Sequence, residues 1–345
     1  MTAVQALTWN KERSKPGNRT IMKIFFLFVN LLFLIVFSRS APAQKLTLAH
    51  VAIHPGQGMF WIAKDSGLLA KHGFSAEVVL IPGSPRTVQA LIAGDLDYAV
   101  AGAPAYVRAR TQGADVVILS SLSGYSSQRV LLKPDSAVQT FNDIRGKTIG
   151  VTQYGSAGDS FIRGALKKAG IKESDVTILQ MGGTPGVSQA LEAGRIEVGV
   201  LGESGALLVF RGKARFLKGG SSREFGFHAL DAPLGTTERK IKADRGSVLR
   251  FMQAYVEALH YFKTNRAGTI KILKKYMAGL SEEHVALWYD DYREGLVSLP
   301  YPDDNGLRAE LDLINVPRSQ SLASYVNKSF LDEIKKSGFV ERLNK

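Results

Sequence analysis

Residues 83–102 read GSPRTVQALIAGDLDYAVAG, and residues 183–202 read GTPGVSQALEAGRIEVGVLG. Aligned without gaps, nine of the twenty positions are identical, and Leu96/Ile196 and Asp97/Glu197 are close matches. Both copies have one grammar. A Gly-x-Pro turn opens a short helix predicted to bury Ala90, Leu91 and Ala93, or Ala190, Leu191 and Ala193. Gly94 or Gly194 ends that helix as a C-cap glycine, and a β-rich run follows. Solenoid repeats recur every 20–50 residues or so. A single duplication at a spacing of 100 residues predicts two similar α/β lobes instead.

The neighbouring sequence extends the pattern in both directions. KLTLAHV (45–51), FSAEVVLIP (74–82), LDYAVAG (96–102) and DVVILSSLS (115–123) read as strands. Between them, MFWIAKDSGLLAKHG (59–73), RTVQALIAG (86–94) and APAYVRARTQGA (103–114) read as helices. The order restarts at KTIGVTQ (147–153), with SFIRGALKKAG (160–170), VTILQMG (176–182), the second repeat helix and IEVGVLG (196–202). Strands alternating with short helices predict mainly parallel sheets. Beyond about Leu217 the chain reads as loop, and the last third as helices without a third copy of the repeat, led by SVLRFMQAYVEALHYFKTNR (247–266).

The first 43 residues form a separate segment. A basic start, the apolar run Ile24–Phe37 and the small residues of SAPAQ read as a secretory signal peptide cleaved after Ala43, with Met22 as an alternative initiator. Fourteen apolar-run residues are short for a span of about 20. Export to the periplasm is therefore expected. Without that segment 38 basic and 30 acidic side chains remain, a net charge of +8. The basic residues are dispersed and carry no nucleic-acid motif, so nucleic acid is not an expected partner. The chain has no cysteine. This excludes disulfides, thiolate metal sites, a lipidated N-terminal Cys and a Cys nucleophile. His50 and His54 stand four apart with no third ligand nearby in sequence, so no metal or cofactor is expected.

The strand ends carry the candidate chemistry. Each leads into small or polar residues before a helix: Gly56–Gly58, Gly83–Pro85, Gly102–Pro104, Gly155–Gly158 and Gly183–Pro185. Ligands of open parallel sheets sit at such carboxyl ends, against free helix N–H groups. Ser84 and Thr184 occupy equivalent helix starts, where N-capping alone would account for them. Gly102 and Ala103 open the third rim. Arg86 is the cation beside such a start and suits a carboxylate or sulfonate, although a solvated arginine reads equally well. In TQYGSAGD, Thr152, Tyr154, Gly155 and Ser156 offer hydroxyls, N–H groups and a stacking face. Glu203 follows the second repeat and would favour an amine. Arg86 and Glu203 pull in opposite directions, which leaves sulfonate, carboxylate, nitrate and neutral heterocycle open.

The words GMFWIAKDSGLLAKHGFSAEVVLI, VQALIAGDLDYAVAGAPA, DIRGKTIGV, SQALEAGRIEVGV and VLRFMQAYVEALHYFKTNRAGTIKIL resemble the periplasmic solute-binding proteins of ABC importers, in the nitrate/sulfonate/taurine group. The resemblance covers roughly residues 45–279. It implies a two-lobed, type II periplasmic-binding-protein-like α/β fold, with lobe 1 at 44–127 plus 222–345 and lobe 2 at 128–221. It further implies a monomer that captures a small solute between the lobes and hands it to a membrane permease. The family's first ligand loop falls on His54, Gln57 and Gly58. A thiamine-pathway pyrimidine-forming enzyme and enzymes acting on chorismate-derived substrates share the fold, but the former carries a Cys-rich motif absent here, and no nucleophile–His–acid grouping is evident. A periplasmic ligand sensor would have the same sequence features.

Overall fold

The computed structural model describes residues 43–125 and 127–344. The signal-peptide segment and its cleavage site lie outside the described residues but for Ala43. Twelve strands are described: β1 (Gln44–His50), β2 (Phe74–Leu80), β3 (Tyr98–Val100), β4 (Val116–Ser120), β5 (Ser123–Tyr125), β6 (Arg129–Leu132), β7 (Thr148–Val151), β8 (Thr177–Gln180), β9 (Val198–Leu201), β10 (Arg215–Ser221), β11 (His228–Asp231) and β12 (Leu234–Thr237). They make two five-stranded sheets, β2-β1-β3-β12-β4 and β8-β7-β9-β6-β10, and a two-stranded ribbon, β5-β11.

The two large sheets have the same plan. In each, three strands run parallel, and the fourth is antiparallel to the third. In the first sheet that fourth strand, β12, comes from far along the chain. In the second, β6 comes just before the parallel strands. The chain leaves the first sheet after β4, through β5, and returns through β11 to β12, and the connecting strands β5 and β11 pair antiparallel.

The repeat supplies the same pieces to both sheets. Helices Ser84–Ala93 and Thr184–Glu192 precede β3 and β9. Gly94 and Gly194 both have positive φ, 92° and 69°, as the helix stop requires. The Asp97/Glu197 match has a structural job. Asp97 Oδ2 accepts the N–H of Thr47, midway along β1, at 2.7 Å, and Glu197 Oε2 accepts that of Thr148, the first residue of β7, at 2.9 Å, each pinning the strand alongside.

Both faces of the first sheet are covered, which is why its strands are apolar on both sides. Leu46, Leu48, Tyr98 and Val117 pack under helices Met59–Asp65 and Arg245–Thr264. Ala49, Ala99, Val116 and Ile118 pack on the opposite face, with Leu91, Val107 and Leu311 of three further helices. The second sheet is layered likewise, with Phe161, Ile162 and Leu166 on one face and Val187, Leu191 and Leu208 on the other. Among the described residues no helix is long and apolar enough to cross a membrane.

Four sequence expectations are corrected. The repeat helices bury Leu91 and Leu191, but Ala93 and Ala193 stand exposed where each helix ends at its turning glycine. The segment 59–73 is two helices, Met59–Asp65 and Leu68–Lys71, because Gly67 turns the chain with φ 79°. The stretch after Leu217, read as loop, contains most of β10 together with β11, β12 and helix Glu238–Ala243. Finally, SLASYVNKSFLDEIKKSG is helical only at its two ends, a 3-10 turn at Leu322–Ser324 and a helix at Ser329–Lys336, with Val326 bridging to Ile118 between them.

Candidate functional site

The carboxyl ends of the parallel strands of both sheets face one cavity. From the first sheet it receives Ala52, His54 and Gln57 after β1, Gly83 and Ser84 after β2, and Gly102 after β3. From the second it receives Thr152, Ser156 and Ala157 after β7, Thr184 after β8, and Gly202 and Ser204 after β9. The connections between the sheets add Ser127, Gln128, Asp231 and Ala232.

The rims touch. A Cβ built on Gly102 would lie 3.3 Å from Ala157 Cβ on the other sheet's rim; one on Gly83 would fall 2.3 Å from the Gln153 carboxamide. One on Gly183 would lie 2.8 Å from Pro82 Cβ. Small residues are what permit this approach. The cavity left between the rims is correspondingly small, about 80 Å³.

Four helices begin at this cavity: Ser84–Ala93, Ala103–Thr111, Ala157–Lys168 and Thr184–Glu192. Their first N–H groups have no intrahelical acceptor, and their positive dipole ends converge. Ser84 and Thr184 are not N-caps, contrary to the sequence expectation; Gly83 and Gly183 hold those positions and the hydroxyl residues come first inside the helix. Ser84 Oγ instead accepts the N–H of Gly102 at 2.8 Å, and Thr184 Oγ1 lies 3.5 Å from Ser204 Oγ. Each hydroxyl thus ties its own rim to the next. Ser156 is a true N-cap, accepting from Asp159 N at 3.3 Å. Gln57 is held by its Oε1, which accepts the Val51 N–H at 3.1 Å.

Among the described residues no lysine or arginine lines the cavity. Burial, helped by His50, pushes His54 down to about 3, so its imidazole is neutral at physiological pH. His54 Nδ1 is buried without a hydrogen-bond partner among the described residues. His50 turns away, with Nδ1 2.8 Å from the Ala52 carbonyl and its ring edge-on to Trp61. Sequence reasoning missed Asp231. Burial pushes it up to about 6, opposed by donors from Tyr292, Ser127 and Ala232; the Tyr292 hydroxyl donates at 2.8 Å. It arrives on a turn where Ala232 adopts φ 43°, a conformation alanine rarely takes. The signal that could have found it is the apolar run HAL before DAP in a segment taken as loop.

The remaining expected residues lie off this cavity. Gly58 and Ala103 stand one residue behind the lining, inside the starts of their helical turns. Arg86 is exposed. Tyr154 is 47% exposed and donates its hydroxyl to the Ile178 carbonyl at 3.0 Å. With Gly155 it lines an outer groove beside Pro85 and Arg108. Glu203 is buried behind the cleft and accepts from Trp288 Nε1 at 3.1 Å. It faces a different cavity, with Arg129 and Arg223, and burial raises its pKa above the ordinary carboxylate value.

Known proteins resemble this chain in sequence and in fold. Over 134 residues the chain is 35% identical to a candidate binding protein of Brucella abortus (strain 2308), covering 39% of this chain and 40% of that one. The match therefore spans less than half of the relative's length. The alkanesulfonate-binding protein SsuA from Xanthomonas axonopodis pv. citri, solved with MOPS bound, has the same fold at TM-score 0.70 and 22% identity, covering 84% of this chain and 99% of that one. The desulfurization enzyme DszB shares it at TM-score 0.62 and 15% identity, covering 85% and 99%. The fold is that of the periplasmic binding proteins. Residues 55–267 match the family described as NMT1/THI5 like, and with well over half of its length matched this chain belongs to that family.

Proposed function

We propose that this protein is the extracytoplasmic solute-binding subunit of an ABC importer, and that it captures a small organic solute through a sulfonate or carboxylate head group. The observation carrying this reading is the convergence of four helix N-termini, from both sheets, on one cavity lined by no lysine or arginine among the described residues. Free N–H groups and dipole ends stabilise an anionic oxygen without a counter-cation. The hydroxyls of Ser84, Thr184 and Ser204 and the carboxamide of Gln57 add neutral hydrogen-bonding groups. The negative charge of Asp231 is met by four donor groups from Tyr292, Ser127 and Ala232, which weakens its repulsion of an anionic ligand.

In this reading residues 44–127 with 222–345 form one lobe and 128–221 the other. The β5-β11 ribbon is the hinge. A solute touching both rims favours the closed state over the open one, and the closed form is what a membrane permease would receive. The sulfonate named for the Xanthomonas relative supports the head-group class.

The test is a thermal-shift screen of the purified chain against alkanesulfonates, carboxylates, pyrimidines and amino acids, with product analysis of every hit. A ligand at 100 times its Kd stabilises the native state by about 2.7 kcal/mol. We expect a sulfonate or carboxylate to do so without being consumed. Stabilisation only by cations or neutral heterocycles would remove the head-group assignment, and turnover of the hit would replace transport by catalysis.

A further inference from the structure

A second cavity, about 470 Å³, adjoins the central cleft at Ala157 and lies between helix Ala157–Lys168, packed on the second sheet, and helix Asp304–Leu313, packed on the first. Its walls include Phe161, Phe227, Leu313 and Ala309. These apolar walls alternate with polar and charged side chains, so the cavity offers both a surface for a hydrocarbon body and groups to fix its polar end.

Two of those polar groups are anomalous. Helix Asp304–Leu313 buries Gly306, Leu307, Glu310 and Leu311. Three of these are ordinary core choices; Glu310 is not. It is only 6% exposed, and its Oε2 has no hydrogen-bond partner among the described residues. Ser160, from the facing helix, is also 6% exposed with its Oγ unpartnered. Both line the cavity. An unpaired buried carboxyl is costly, and a leucine or alanine there would avoid the cost. Burial pushes Glu310 up to about 8, only partly offset by the positive charge of Arg108. A bound donor would relieve both orphan oxygens.

The pairing around the cavity singles out Glu310 as the group for a cationic donor. Of the other charged groups that line it, Arg163 is engaged by Asp159 at 2.9 Å and by Glu173, Asp312 accepts from Arg318 at 2.7 Å, and Lys167 and His228 stand exposed. Glu310 is the acid lining the cavity that has no ion-pair partner among the described residues.

We propose that this cavity is a second ligand site, taking a small organic ammonium ion whose N–H groups donate to Glu310 and Ser160 and whose hydrocarbon body packs on Phe161, Phe227 and Leu313. The site is independent of what the central cleft binds.

The experiment is calorimetric titration of the full chain with n-hexylammonium chloride, n-hexanol and sodium hexanoate. We expect saturable 1:1 binding of hexylammonium, at least tenfold tighter than the alcohol or the acid. Glu310→Gln should weaken it at least tenfold; Ser160→Val, which leaves the carboxyl in place, should weaken it about fivefold. Asp231→Asn, which removes the carboxylate lining the central cleft and alters none of the second cavity's walls, should leave it unchanged. The proposal is overturned if hexylammonium does not saturate, if hexanol binds as well, or if both cavity variants retain wild-type affinity. It is also overturned if Asp231→Asn abolishes binding, which would put the amine in the central cleft.

Discussion

Burial drives three ionisable groups in opposite directions. His54 is pushed down to about 3, while Asp231 is pushed up to about 6 and Glu310 to about 8. Their signs differ in consequence. A histidine with a lowered folded pKa contributes stability above pH 6.5 that is lost as pH falls toward 3. A carboxyl with a raised folded pKa contributes the reverse: its effect is full below the unfolded value near 4 and is lost as pH rises through the folded one. For Glu310 the window is about pH 4.5 to 8, and the loss is on the order of a few kcal/mol. The charged groups around it, Arg108, Arg163, Lys167, Glu173 and Asp312, modulate that figure without changing its sign. Urea midpoints of wild type and Glu310→Gln should therefore be similar at pH 5 and diverge by pH 8.5, with the variant the more stable. Parallel pH profiles would mean that Glu310 finds a partner in solution. Nothing local warns of Glu310, because the two acids of RAELDL both read as a solvated helix face until the partner helix is known. His54, Gln57, Ser84, Gly102, Thr152, Ser156 and Thr184 were legible, since strand-to-helix junctions announce themselves locally.

At the scale of elements, the two serine/threonine helix starts that look alike in sequence do different work. Ser156 caps helix Ala157–Lys168 through the Asp159 N–H, and Asp159 in turn accepts from Gly155 N at 2.8 Å. Ser156→Ala should cost about 1 kcal/mol of unfolding free energy. Thr184 sits one position inside its helix, with Gly183 as cap, so Thr184→Ala should cost no more than about 0.5 kcal/mol. Denaturant titration of the pair checks the contrast; equal losses would mean that Thr184 caps its helix in solution. The elements that escaped the sequence reading failed for a physical reason. Strand β12 is four residues, LGTT, buried at every position, and it earns its place only by pairing with β3 and β4, more than a hundred positions back in the chain. No local periodicity can announce such a strand, and Asp231 was lost with the connection that carries it.

At the scale of the molecule, the duplicated word explains itself: two sheets of one plan present their helix starts to each other, and small residues let them meet. The contact between Gly102 and Ala157 tests this directly. A Cβ on Gly102 would lie 3.3 Å from that of Ala157, slightly inside the 3.5–4.5 Å or so spanned by a disulfide, and Gly102 has φ −66°, which a cysteine tolerates. The chain has no cysteine of its own, so Gly102→Cys with Ala157→Cys introduces the only two thiols. If the rims meet as described, mild oxidation should join them within one chain, detectable as loss of both free thiols and as a cross-linked peptide by mass spectrometry. A solute that favours the closed form should accelerate the reaction, because it raises the population in which the thiols are adjacent. Once closed, the oxidised protein should exchange that solute slowly, and a reductant should restore exchange. Thiols that stay free under oxidant, with a stabilising solute present, would show that these rims do not come together and that capture between them is not how the molecule works.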